Sequence, residues 1–245
     1  MSWLLYGIVF SQSGDRASGH SPLALPAGVG GTPIRLLEEG GLGAAVSWVE
    51  PPDLTPNVAR VLSYGKVVEA LHADRAVLPM RYGCRFGQES QVVELLRVHG
   101  EEYAAALRGL DGCVEMSVRI LLPTESSVRC PPSGSEIEGA SGRAYLTDRA
   151  ARYAREEEAA RALAAVMERL RSALGGLAER TGTDRGVGAD GGSSSLYFLV
   201  KRGAVESFRR AFRGIERAEP ARLLLSGPWP PYNFVATEGR ANRHG

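Results

Sequence analysis

The side chains of this chain that could carry chemistry are four histidines, three cysteines, a run of three glutamates and a glycine-rich stretch. An acid–base or nucleophilic centre needs its partners within about 3 Å of one another. His20, His72, His99 and His244 are scattered, and none is expected to meet an acid or a nucleophile through helix or strand spacing. His72 and His99 are therefore expected to be packing or solvent-facing helix residues. Cys84 lies near Arg81 and Arg85, two cations of the kind that lower a thiol pKa, but no base accompanies it. Cys84, Cys113 and Cys130 are odd in number, without Cys-x-x-Cys spacing or nearby histidines, which argues against a disulfide framework or a zinc site. Glu156, Glu157 and Glu158 are adjacent in a helical pattern and point in different directions, as on a solvated face. Gly186, Gly188, Gly191 and Gly192 are fed by no strand and followed by no Gly-Lys-Ser, so they read as a linker and not a phosphate cradle. No catalytic set, metal or cofactor is expected.

Charge narrows the partners. Over 245 residues the formal charge is +1, which provides no electrostatic footprint for nucleic acid or a lipid membrane. The apolar N-terminal run is about ten residues long and lacks a basic start, too short for a span and wrong for a signal peptide. It reads as a buried first strand, and the cysteine usage fits a cytoplasmic protein.

The elements that would position these residues follow from periodicity. Trp3–Phe10 reads as a strand, and Ser11–Gly31 as a long Gly/Ser/Pro loop. Ile34–Glu39 and Ala44–Glu50 flank Gly40, Gly41 and Gly43 as a hairpin. A helix follows Pro56, capped by Asp53 or Thr55, with Val58, Val61, Leu62, Val68 and Leu71 as its apolar stripe. Val77–Gly83 is a short strand interrupted by Pro79, and Gln91–Leu110 a second amphipathic helix. In Cys113–Leu122, Val114, Met116, Val118 and Ile120 face one way, while Glu115, Ser117 and Arg119 form the wet face. Beyond a linker at Pro123–Gly142 comes a long helix, Arg143–Arg180, with Leu163, Val166, Met167, Leu170, Leu174 and Leu177 on one stripe. Gly182–Ser195, strand Leu196–Val200, helix Val205–Ile215 and strand Ala221–Ser226 complete the order.

The fold class is α+β with two domains. Residues 1–110 form an N-terminal α+β domain, with the boundary near Gly109–Gly112. Residues 111–236 form a modified ferredoxin-like sheet with a long helix, one of its four strands being missing or reshaped. Residues 237–245 are a tail.

The segment Leu223–Val235, LLLSGPWPPYNFV, resists an ordinary reading. Pro228, Pro230 and Pro231 remove three backbone donors, so it must leave the sheet as a stiff extended arm. Trp229, Tyr232 and Phe234 have rings that are costly to leave in water. The arm therefore needs a groove, either on this chain, where it would clip the two domains together, or on a partner. Arg81, in an otherwise apolar strand, is either paired with a buried acceptor such as Glu115 or solvent-facing at the strand end.

Four stretches carry a family resemblance: LLYGIV at Leu4–Val9, VLPMRYG at Val77–Gly83, GCVEMSV at Gly112–Val118, and SGPWPPYNFV at Ser226–Val235. With GRAYL at Gly142–Leu146 and LYFLV at Leu196–Val200, the chain resembles the gas vesicle protein F/L (GvpF/GvpL) family along essentially its whole length. It departs from the pattern at Tyr82 and Cys84 and in the long early loop. The resemblance implies a non-enzymatic accessory or minor structural protein that associates with the small hydrophobic main shell protein, with other accessory proteins as further partners, and supports gas vesicle assembly. Its motif residues, candidates for structural or partner-binding roles, are Leu78, Pro79, Arg81, Tyr82, Gly83, Gly227, Pro228, Trp229, Pro230, Pro231, Tyr232 and Phe234. The competing readings are an enzyme, for which no convergent polar site exists in the sequence, and an interaction scaffold unrelated to gas vesicles. The latter would use the Leu163–Leu177 stripe, which lasts only about two heptads against the three or four a coiled coil needs.

Overall fold

The computed structural model describes residues 2–11, 25–50, 55–122, 142–183 and 193–235. Expectations concerning His20, His244, Cys130, Asp53, most of the early loop, the 123–141 linker, the glycines at 186–192 and the tail lie outside the described residues. The chain divides into two compact units: Met1–Glu115 with the segment beginning at Pro228, and Met116–Gly227. The arm thus groups with the first unit, whereas the sequence reading assigned it to the second domain.

The first unit is built on β1 (Ser2–Phe10), β2 (Arg35–Glu39), β3 (Leu42–Val49), β4 (Leu78–Pro79) and β5 (Arg85–Phe86). Its sheet order is β2-β3-β1-β4, with β5 also paired to β1. β2 and β3 form the expected hairpin, whose turn is Gly40 and Gly41, both at positive φ, a backbone that L side chains rarely adopt. Two helices pack on this sheet: α1 (Val58–Asp74) and α2 (Glu89–Leu110). The cap of α1 is Asn57, whose Oδ1 accepts from Arg60 N at 2.9 Å, in place of the expected Thr55. Its apolar stripe is buried only from Tyr64 onward, through Val67, Val68 and Leu71. Val58, Val61 and Leu62, expected in the core, are exposed. α2 starts two residues earlier than expected, after Gln91 Oε1 accepts from the Gly87 and Gln88 N–H groups.

The second unit, whose first and last strands cross its boundaries, is built on β6 (Cys113–Leu121), α3 (Gly142–Leu174), β7 (Arg180–Thr183), β8 (Ser193–Lys201), α4 (Val205–Glu216) and β9 (Arg222–Trp229). The sheet order is β7-β8-β6-β9, so all four strands of the βαββαβ ferredoxin-like plan are present. None is missing. The short β7 occupies the end of the stretch read as helix and the start of the glycine-rich run. α3 stops at Leu174 and passes through a 3-10 turn at Gly175–Leu177. Leu163, Val166, Leu170 and Leu174 are buried as the stripe predicts, and Phe198 meets Phe208 edge-on at 5.2 Å. β9 is an edge strand, which is why it tolerates Pro228 within it.

Candidate functional site

β1 has a pairing irregularity against β3 between Leu5 and Gly7. Such a bulge disrupts the ladder and turns backbone groups away from it. Tyr64 of α1 meets this disruption. Its hydroxyl is 2.9 Å from both Leu5 O and Met80 O, and its single proton serves one carbonyl at a time. The Tyr64 ring stacks on Tyr6 at 4.7 Å and meets Tyr82 edge-on at 5.4 Å. The Tyr6 hydroxyl in turn accepts from Val29 N at 2.9 Å and lies 2.8 Å from Ser47 Oγ.

Along the other side of β1 runs the 78–86 segment. Ile8 and Gly7 pair with Leu78 and Pro79, Met80 N donates to Tyr6 O at 2.9 Å, and Leu5 N donates to Cys84 O at 2.9 Å. Gly7 is required by this approach: a Cβ there would stand 2.9 Å from Val77 Cγ2 and 3.0 Å from Leu78 O. Leu78 and Pro79 are buried, Tyr82 is half-buried, and Gly83 takes φ +93° in the turn before β5.

The arm closes onto the end of this unit through Glu115. Asn233 N donates to Glu115 Oε2 at 2.8 Å and Asn233 Nδ2 to Oε1 at 2.7 Å, so both carboxylate oxygens are engaged by one residue. Glu115 is buried, correcting the expectation of a wet face at that position of β6. Burial pushes its pKa up, and the two bonds from Asn233 act against that rise. The arm is not extended as expected. Tyr232 N donates back to Pro230 O at 2.8 Å and Phe234 N to Pro231 O at 3.1 Å, so it curls through two tight turns. From Pro230 to Phe234 every backbone N–H is either absent or bonded.

Pro230, Pro231 and Phe234 are buried. Trp229 and Tyr232 remain 43% and 40% exposed, so this chain covers their rings only in part. Gly227 turns at φ +111° just before the exposed Pro228. The Tyr232 phenol is pushed up to about 12, first by burial of its hydroxyl and then by the Glu69 and Glu115 carboxylates.

Among the described residues, the titratable side chains do not assemble a reactive centre. Burial pushes the Cys84 thiol up to about 11, so the neighbouring arginines do not activate it. His72 is buried on α1, and His99 Nδ1 lies 3.3 Å from Glu102 on α2, a helical i, i+3 pair that corrects the expectation that no histidine would meet an acid through helix spacing. Arg81 is exposed, and Glu115 is taken by Asn233, so the Arg81–Glu115 pair does not form. No group of three or more metal-ligating side chains exists among the described residues.

Parts of all four stretches singled out in the sequence thus meet in the first unit: LLYGIV as β1, VLPMRYG alongside it, the start of GCVEMSV supplying Glu115, and PWPPYNFV curling over it. A family model described as gas vesicle synthesis protein GvpL/GvpF matches residues 2–236. The chain belongs to the GvpL/GvpF family.

Gas vesicle protein F of Streptomyces sp. (strain CB03234) is 30% identical over 254 residues, covering 96% of this chain and 100% of that protein. Gas vesicle protein L of the same strain is 32% identical over 229 residues, 85% of each. The crystal structure of GvpF from Anabaena sp. PCC7120 superposes with TM-score 0.69 at 17% identity, over 97% of this chain and 99% of that one, which establishes a shared fold.

Within this GvpL/GvpF chain, two residues central to the site, Tyr64 and Asn233, were not among the sequence candidates, and Glu115 was named only as an acceptor for Arg81. Glu115 carried a signal, a lone carboxylate inside an otherwise apolar strand start. Asn233 stood inside the arm motif, overshadowed by the rings around it. Tyr64 had none beyond its position in the α1 stripe.

Proposed function

We propose that this GvpL/GvpF chain is a gas vesicle accessory protein that binds the small hydrophobic main shell protein and supports assembly by stoichiometric contact. It works in the cytoplasm in association with the vesicle, without catalysis, and other accessory proteins are further partners. The observation that carries this reading is the division of labour in the arm. Pro230, Pro231, Asn233 and Phe234 anchor it, while Trp229 and Tyr232 keep about two-fifths of their surface in water. A segment already ordered within its own chain can offer those rings to a partner without a further ordering cost. Before assembly, a shell subunit with an apolar strand face is an aggregation hazard, and a neutral protein presenting rigid aromatic surface can shield it.

Retention of purified shell protein by this chain at about 0.05 M and 0.5 M salt tests the reading, alongside the buoyancy of a deletion strain. Apolar contact predicts retention that changes little with salt. A deletion strain that floats normally, with no shell protein retained at either salt, overturns it. A turnover panel with metals and nucleotides separates the enzyme alternative.

A further inference from the structure

Helix α4 divides sharply between a buried and a charged face. Val205, Phe208 and Phe212 are buried against the ferredoxin-like sheet. On the opposite side, Arg210, Arg213 and Arg217 follow one another at i, i+3 and i+7, a spacing that puts them on one face. Arg217 keeps helical backbone angles, φ −72° and ψ −23°, one residue past the last helical one, so the stripe is continuous. At about 1.5 Å per residue it runs roughly 10 Å. All three are exposed, and none has a hydrogen-bond or ion-pair partner among the described residues. Their neighbours differ. Arg209 is held by Glu206 at 2.7 Å and reaches Gly227 O at 3.3 Å, and Arg169 of α3 is held by Glu219 at 2.6 Å.

Composition reinforces the local picture. Residues 116–227 hold eighteen Lys and Arg against fourteen Asp and Glu, a net +4, whereas the whole chain is +1. The near-neutral total therefore conceals a basic unit. Helix-dipole preference accounts for cations in the last turn but not for Arg210, nearer the helix middle.

We propose that the Arg210–Arg213–Arg217 stripe is a docking surface for an acidic segment of another protein, with carboxylates spaced over about two helical turns. Three features select that occupant. All three cations are arginine, whose planar fork matches a carboxylate bidentately. Glu206 and Glu216 flank the stripe, so a continuous polyanion such as nucleic acid or an anionic bilayer would meet unfavourable charge, while discrete carboxylates avoid it. Gly214, beside the stripe, has open space where a Cβ would stand, which allows close approach of a partner backbone. This surface belongs to the second unit and the aromatic arm to the first, and the two have opposite salt signatures.

The experiment uses the full chain and a synthetic alanine-based helical peptide bearing Glu at i, i+3 and i+7, with a Gln-for-Glu version as control. Phosphatidylserine vesicles and single-stranded DNA are parallel probes. The Glu peptide is expected to bind, with affinity falling at least tenfold from 0.05 to 0.5 M salt and at least tenfold in the combined Arg210→Glu, Arg213→Glu, Arg217→Glu chain. Combined Arg→Lys changes should give a smaller loss, and Trp229→Ala none. Should the charge-reversed chain not fold, the combined Arg→Gln chain serves in its place. Equal binding of the Gln peptide, undiminished binding by the variant, no binding by the unaltered chain, or preference for vesicles or DNA each overturns the proposal. So does salt-sensitive self-association abolished by the triple change, which would make the occupant a second copy.

Discussion

Asn233 grips Glu115 across 118 residues of sequence, backbone N–H on one carboxylate oxygen and side-chain amide on the other. A hydrogen bond to a charged group is worth about 1.5–3 kcal/mol. This pair ties the arm to a buried carboxylate at both of its oxygens.

Asn233→Ala should free the arm while leaving the core intact. The expected loss is about 1–3 kcal/mol, because the amide bond to the buried carboxylate disappears and one oxygen is left to water. Hydrogen exchange is the measurement: amides of Tyr232 and Phe234 should exchange faster, with β1 and α1 unchanged. Protection of the arm equal to the unaltered chain would show that the prolines and Phe234 suffice.

The same carboxylate predicts a pH dependence. The folded-state pKa of Glu115 is raised, chiefly by burial. Its contribution is fully present below the unfolded carboxylate pKa and is lost as pH rises through the raised value. Glu219 is the opposite case: its bond from Arg169 holds the pKa down, so its contribution is present above the unfolded pKa and is lost as pH falls through the lowered value. Denaturant titrations across this range for Glu115→Gln and Glu219→Gln should therefore flatten opposite slopes.

Phe234 and Trp229 separate anchoring from presentation. Phe234, 7% exposed, should cost about 3–5 kcal/mol on conversion to alanine. Trp229, 43% exposed, should cost roughly 1 kcal/mol, not the 3–5 expected if its ring were buried. A Trp229→Ala chain that melts normally but fails to retain shell protein would assign the ring to the partner, and one that retains it normally would remove the ring from the interface.

Gly7→Ala tests why the first strand carries a glycine. The added methyl would press on Val77 Cγ2 and the Leu78 carbonyl, and overpacking of this kind costs about 1–3 kcal/mol. The midpoint of urea unfolding should fall with an unchanged slope. A change under about 0.5 kcal/mol would mean that β4 can withdraw without loss.

Much of the architecture was legible in the chain because it is set by local pattern. The continuous apolar run of β1, the alternation in β6, the glycine hairpin between β2 and β3, and the four-residue recurrence of α2 and of α3 from Leu163 onward each need only the residues in their own segment. The family motifs were legible for the same reason, since their prolines, glycines and rings stand out against any generic background. What the sequence could not say is which faces are covered. Glu115 reads as solvent-facing by alternation and is buried because the arm, far along the chain, curls over it. Val58, Val61 and Leu62 read as core by spacing and are exposed, because burial along α1 begins only at Tyr64. β7 has four residues and no apolar alternation, so only its pairing with β8 reveals it. Periodicity reports what one element prefers to hide, whereas burial depends on what arrives from elsewhere, and the arrival of Asn233 at Glu115 is a property of the tertiary structure alone.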